Sequence, residues 1–206
     1  YFISRPFWPG QFQKEVILKS INQESLIKSN LLNKDNIRLR EILSLQQSSN
    51  NDNISAAVIS RKTGGWWRQI ILNKGSKDGV EIGSTVTGPG GLLGRVNNTS
   101  LFTASVTLIT SPESKLGVWV DRSQINGLLV GSGDDHPSLI LYSKEADIKV
   151  GDFVSSSPAS SLLPPNIPIG IVQSIDETSQ SKKTAKISLL AKPHLIDWVQ
   201  ILKLNI

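Results

Sequence analysis

The sequence predicts a mainly β protein: a long N-terminal α-helix forming a coiled coil, followed by two related six-stranded β-barrels. Three observations carry this expectation. From Gln11 to Gln47 the chain has neither Pro nor Gly and is rich in Leu, Ile, Lys, Glu and Gln, a helix of roughly 37 residues. About a dozen short β-rich runs follow at regular spacing, with no helical pattern between them. Two of those runs recur later in the same order, which marks a duplicated unit.

YFISRPFWPG, residues 1–10, gathers Tyr1, Phe2, Phe7 and Trp8 around Arg5, the mixture that membrane interfaces prefer beside a spanning helix. The expectation is a membrane-proximal segment, with the span upstream of Tyr1; the competing reading is an end whose aromatics pack on the body. The helix, assigned to residues 11–49, would reach about 55 Å at 1.5 Å per residue, a length that points to a coiled coil. Its seven-residue series places Leu18, Ser25, Leu32 and Leu39 on one seam position, with Ile21, Lys28, Asp35 and Ile42 as companions. The other heptad spacing brings Asn22, Asn36 and Leu43 to the seam, where an Asn fixes register at a cost in stability. The oligomerisation seam is therefore assigned to Leu18, Ile21, Ser25, Leu32, Asn36, Leu39, Ile42 and Leu43; the alternative is a single helix lying along the body. SSNNDN, residues 48–53, is a polar linker.

From Ile54 onward the period changes to two. Strands are expected at 56–61, 66–73, 84–88, 92–97, 104–110, 115–120, 126–131, 138–143, 152–156, 168–175, 185–191 and 198–204. VEIGSTV (80–86) lines up with IKVGDFV (148–154) around Gly83 and Gly151, and GLLGRV (91–96) with IPIGIV (167–172) around Gly94 and Gly170. If each unit takes six strands, the last strand is left over for the second unit and completes the first. The expected division is residues 54–110 plus 195–206 for barrel one and 111–194 for barrel two. Gly75, Gly79, Gly83, Gly94, Gly127, Gly151 and Gly170 are assigned as structural turn residues.

Composition and spacing argue against several chemistries. Lys and Arg total 22 against 17 Asp and Glu, a net charge of +5, but they are scattered singly, and no nucleic-acid footprint results. GPGGLLGRV (88–96) breaks the G-x-G-x-x-G spacing and runs into a strand, so it reads as a hairpin with Pro89 presetting one turn dihedral. Two barrels would suit a chymotrypsin-like hydrolase, but neither His136 nor His194 has a glycine-flanked nucleophilic Ser to serve. Asp134, Asp135 and His136 sit in one turn, where adjacent ligands rarely converge on a metal. No catalytic residue, metal or cofactor is assigned. Trp66 and Trp67, beside Arg61, Lys62 and Arg68, are the candidate partner contact, since alternation puts one of the two rings outward.

ILNKGSKDGVEIGSTVTGPGGLLGRV, LITSPESKLGVWV followed by INGLLVGSG, and IKVGDFV with LLPPNIPIGIV together resemble the rod shape-determining MreC family. Pro158, Ser160, Ser161 and Asn166 stand where that family usually has glycines. The resemblance implies a non-enzymatic scaffold of the bacterial cell-elongation machinery, anchored by a single upstream span and placed on the periplasmic side of the inner membrane. Implied partners are a class B penicillin-binding protein, MreD and the MreB-linked cytoskeletal complex, alongside a homodimer or larger self-assembly. Barrel edges and apolar surface would serve for strand addition or side-chain docking. The runner-up reading is a periplasmic adaptor of a secretion or efflux assembly.

Overall fold

The computed structural model describes residues 23–24, 26–32, 34–35, 53–62, 68–143, 145–176 and 182–202. The chain divides into two compact units, residues 1–43 and 44–206. In the first, the described residues are helical and exposed, Leu32 among them at 60%. Leu18, Ile21, Ser25, Asn36, Leu39, Ile42 and Leu43 lie outside the described residues, as do the 1–10 segment and Trp66 and Trp67. Among the described residues no helix is long and apolar enough to cross a membrane.

Among its described residues the second unit holds twelve strands: β1 (Ile54–Lys62), β2 (Gln69–Leu72), β3 (Thr85–Gly88), β4 (Gly91–Thr99), β5 (Ala104–Leu108), β6 (Lys115–Val120), β7 (Ile125–Val130), β8 (Ser138–Leu141), β9 (Phe153–Ser156), β10 (Pro168–Asp176), β11 (Lys183–Leu189) and β12 (Trp198–Leu202). They close two antiparallel barrels, β1-β12-β3-β4-β5-β2 and β10-β11-β8-β7-β6-β9. Alternation explains the filling: Ala104, Val106 and Leu108 of β5 point inward while Ser105 and Thr107 between them are half-buried. Full burial of each such Leu, Ile or Val contributes about 1.5–3 kcal/mol.

The internal repeat is physical. Gly83 N donates to Val96 O at 2.8 Å, and Gly151 N to Val172 O at 2.9 Å; Val96 N returns to Ser84 O, and Val172 N to Asp152 O, both at 2.9 Å. Gly94 faces Leu108 as Gly170 faces Leu189, and each long strand shifts register just after its valine, at Val96/Asn98 and Val172/Ser174. Thus β3, β4 and β5 correspond to β9, β10 and β11. The remaining pairings then match β2 with β8, β1 with β7, and β12 with β6. Barrel one is a circular permutation of barrel two: the strand that opens the second barrel's sequence closes the first one's.

The repeat's glycines divide into two kinds. Gly79, Gly83 and Gly151 have φ of +85°, +92° and +94°, the left-handed turn role expected of them. Gly94, Gly127 and Gly170 sit inside β4, β7 and β10, which corrects their assignment to turns. Their role is close approach: a Cβ on Gly94 would lie 2.1 Å from Thr107 O, and one on Gly170 2.5 Å from Ser188 O, each a carbonyl of the neighbouring strand. Gly75, also extended with φ −137°, is crowded in the same way, by Ser100 O at 2.3 Å.

GPGG is a two-residue hairpin, with Pro89 second and Gly90 (φ +95°) third in the turn, as a type II geometry requires. It is also the joint between the barrels. A Cβ on Gly90 would meet Leu190 O at 2.6 Å, and one on Gly91 (φ +130°) Pro168 O at 2.0 Å. The following Leu92 lies in barrel two's core, as does Ile109, while Ala191 and Ile196 of the returning connector join barrel one's. Arg61 ties that connector down, its Nη2 donating to Asp197 Oδ1 at 2.8 Å and its Nη1 to His194 O at 3.1 Å.

Closure overturns one expectation. Every described strand has a neighbour on both sides around its ring, so neither barrel presents a full-length free edge as a template for strand addition, although β12 covers only Ile54–Ala57 of β1. Surface side chains must carry any docking.

Candidate interaction site

Among the described residues, one exposed apolar surface lies on the outer wall of barrel two. Leu116, Val118 and Val120 of β6 point inward, so Trp119 points out. On β9 the inward residue is Val154, which turns Phe153 and Ser155 outward. Register then aligns the face: Trp119 lies opposite Ser155, and Phe153 opposite Ile171 of β10. Directly opposed residues share a face, so Trp119, Ser155, Phe153 and Ile171 form one band across three strands.

The band is part apolar contact and part support. Phe153 is 56% exposed, and Val150, three residues earlier across the left-handed Gly151, is 64% exposed. Ser155 is outward yet buried. Trp119 Nε1 donates to its Oγ at 2.7 Å, and the hydroxyl donates onward to Asp121. The indole is thereby held in one orientation, the pre-organisation that favours a large aromatic as a binding anchor.

A charged clamp borders this face. Arg122 follows β6 and grips Asp152 through Nε at 2.8 Å and Nη2 at 2.9 Å, while its Nη1 donates to Asp147 Oδ2 at 2.6 Å. Asp152 Oδ2 also accepts Lys149 N at 2.8 Å, fixing the turn that carries Val150. Hydrogen bonds from Arg122 hold both carboxyls below the ordinary carboxylate range, and the same bonds raise the guanidinium further. A lowered carboxyl stabilises the fold above its unfolded value, near 3.9, and loses that contribution as pH falls through the folded value. In a Tm-against-pH series, Arg122→Gln is expected to lower Tm at pH 7 and to flatten the decline below about pH 4, because Asp147 and Asp152 are then no longer lowered in the fold and unfolding takes up fewer protons. Parallel acid limbs in variant and parent would refute this.

The Ser-rich loop after β9 closes without the expected glycines. Asn166 takes φ +62°, and its N donates to Ser156 O at 3.0 Å. Ser156 Oγ donates to Pro164 O at 2.6 Å and accepts Ile167 N at 2.8 Å. Ser157 Oγ donates to Asn126 Oδ1 at 2.5 Å and accepts Ala159 N at 3.1 Å, while Ser157 N donates to Gly117 O at 3.3 Å, so the residues on both sides of Pro158 have their N–H groups satisfied.

The other sequence candidates resolve locally. Asp134 caps its own turn, accepting Ser132 Oγ at 2.7 Å and His136 N at 2.8 Å, bonds that lower its carboxyl's pKa. Asp135 instead reaches Arg68 across the barrels at 2.8 Å. Among the described residues no group of three or more His, Cys, Asp or Glu side chains is placed to hold a metal. Sequence reasoning missed Phe153 as a candidate contact. The signal was present in the repeat, where Phe153 occupies the place of the buried Thr85.

Comparison with known proteins adds the family. The model of "Rod shape-determining protein MreC, barrel core" matches residues 58–203. The cell shape-determining protein MreC of Listeria monocytogenes is 32% identical over 98% of this chain and 70% of its own length. That of Escherichia coli is 28% identical over 84% of this chain, which spans 49% of the relative. A solved MreC structure superposes with a TM-score of 0.76 at 27% identity, covering 84% of this chain and 99% of its own. An MreC from Helicobacter pylori, solved as a complex with penicillin-binding protein PBP2, shares the fold at TM-score 0.58 and 16% identity, covering 73% of this chain and 98% of its own. With the duplicated barrels, their permuted closure and the match over both, the chain belongs to the MreC family of rod shape-determining proteins.

Proposed function

We propose that this chain is a non-catalytic scaffold of the cell-elongation machinery, which organises peptidoglycan synthases by presenting the outer wall of barrel two. The observation that carries the reading is the band of Trp119, Phe153 and Ile171: an apolar surface held rigid from beneath and bordered by the Arg122 clamp, on a closed barrel with no full-length free edge for strand exchange. The anatomy suits a protein contact, with an aromatic centre and a charged rim. Family membership supports the role in cell shape, and the Helicobacter pylori relative's complex with PBP2 supports a class B penicillin-binding protein as the synthase.

The remaining parts of the reading extend it. Leu26, Ile27, Leu31 and Leu32, exposed on the helix, are available for pairing with a second copy, and sedimentation of the purified chain reads that association. MreD and an MreB-linked complex are the further partners, with the chain placed on the periplasmic side of the inner membrane by an anchor upstream of Tyr1. The decisive experiment is capture of solubilised membrane protein on the immobilised chain. The wild type is expected to retain a class B penicillin-binding protein, and Phe153→Asp to reduce recovery at least tenfold at unchanged Tm. Equal recovery by both chains would remove barrel two's wall from the contact; no recovery by either would sink the synthase reading.

A further inference from the structure

The two histidines, distant in sequence, line one cleft at the junction of the barrels. One part of it, about 220 Å³, is lined by Arg68, Leu108, Thr110, Asp135, Pro193 and His194. A contiguous part of about 240 Å³ shares Asp135, Pro193 and His194 and adds His136, Lys192 and Leu189. Arg68 from barrel one and Asp135 from barrel two bridge it at 2.8 Å.

Its hydrogen-bonding capacity is only partly used. Arg68 spends Nη1 on Asp135, but its buried Nε has no partner among the described residues. Thr110, fully buried in the same wall, has an Oγ1 with none either. The Lys192 ammonium and both imidazoles make no hydrogen bond or ion pair to another described residue. Buried polar groups are satisfied in the great majority of cases, and two orphans in one cleft wall call for an acceptor.

We propose that this cleft binds a carboxylate carried on a short apolar arm, the chemistry of an acylated amino-acid terminus. Charge selects the class. Counting histidine as neutral, Arg68 and Lys192 against Asp135 leave a net charge of one positive in the lining. Asp134, whose carboxylate accepts His136 N, is offset by Lys186, which acts on it in turn. One surplus positive charge suits a monoanion, whereas a dianionic phosphate would face the Asp135 carboxylate with too little compensation. The free donors, on Arg68, Thr110, Lys192 and the histidines, suit carboxylate oxygens. Leu108, Leu189 and Pro193 supply apolar wall for a small side chain. Ser188 of its lining lies opposite Ile171 on the neighbouring strand, but the cleft shares no residue with the Trp119, Phe153 and Ile171 band, so Phe153→Asp and the Lys192/His194 variant test the synthase contact and this site separately.

The test is an NMR titration of the full 206-residue chain with N-acetyl-L-alanine, its D enantiomer, the uncharged N-acetylalanine amide and inorganic phosphate. Both carboxylates are expected to give saturable shifts at Arg68, Thr110, His136 and His194, with a Kd of about 1–10 mM for so small a ligand. A preference for the D form assigns a wall-peptide source and one for the L form a protein C-terminus. Lys192→Gln with His194→Gln, both exposed positions, should weaken binding at least fivefold at unchanged Tm. Shifts of equal size with the amide, tighter binding of phosphate, full affinity in the double variant, or no saturation by either carboxylate would each overturn the proposal. Should the double variant fold poorly, the carboxylate-against-amide comparison on the wild type decides alone.

Discussion

A chain cut after Asp197 is expected to lose barrel one as a folded body while keeping barrel two. β12 stands between β1 and β3, with Ile54 opposite Ile201 and Thr87 opposite Gln200. Its removal strips both neighbours of a ladder and empties the places of Val199 and Ile201, which are 1% and 0% exposed. Those two side chains alone contribute roughly 3–6 kcal/mol of burial, comparable with the 5–15 kcal/mol that a whole domain usually has. The strands left at the gap become unpaired edges, so the truncated chain should also associate with itself. Heteronuclear NMR would show barrel two's resonances dispersed and barrel one's collapsed. A peptide of residues 196–206 added in trans should restore them. Native dispersion for β1 and β3 without that peptide would refute the account.

Gly91→Ala is expected to cost several kcal/mol, against about 1–2 kcal/mol for Gly151→Ala. Both glycines have positive φ, so each substitution carries backbone strain of about 1–2 kcal/mol. They differ in what the new methyl meets. Nothing lies within 4 Å of a Cβ on Gly151, whereas one on Gly91 falls 2.0 Å from Pro168 O, a backbone atom of the other barrel that cannot rotate away. Relief requires the β3–β4 hairpin to lift off β10, which also draws Leu92 from barrel two's core, and burial of a leucine is about 1.5–3 kcal/mol. Two thermal melts decide it. At roughly 2–4 °C per kcal/mol for a unit of this size, Gly91→Ala should lie about 8 °C or more below the parent, and Gly151→Ala about 3 °C. Similar shifts for both variants would show that the joint yields more easily than the packing implies.

Much of the fold was legible in sequence because alternation is a local property. Ala-Ser-Val-Thr-Leu at 104–108 announces a half-buried strand without reference to its partners, and VEIGSTV against IKVGDFV announces a second copy. What alternation does not say is which core an inward residue enters. Leu92 and Ile109 read as ordinary barrel-one residues, yet they fill barrel two, since the joint is a matter of tertiary approach. In-strand glycines mislead for the same reason: Gly94 and Gly170 look like turns until the neighbouring carbonyl is seen against them. The candidate contact surface was hardest to read. Trp66 and Trp67 drew attention by residue type, whereas Phe153 is distinguished by facing outward where its repeat counterpart, Thr85, is buried.

The permuted pairing also sets an order in time. Barrel two is made of six consecutive strands and is complete once Leu189 has been synthesised. Barrel one begins earlier, at Ile54, but cannot close until Leu202 exists. In a growing chain the barrel that starts first therefore finishes last. During that interval β1 and β3 wait side by side with an unfilled place between them, held only by what the finished second barrel already grips.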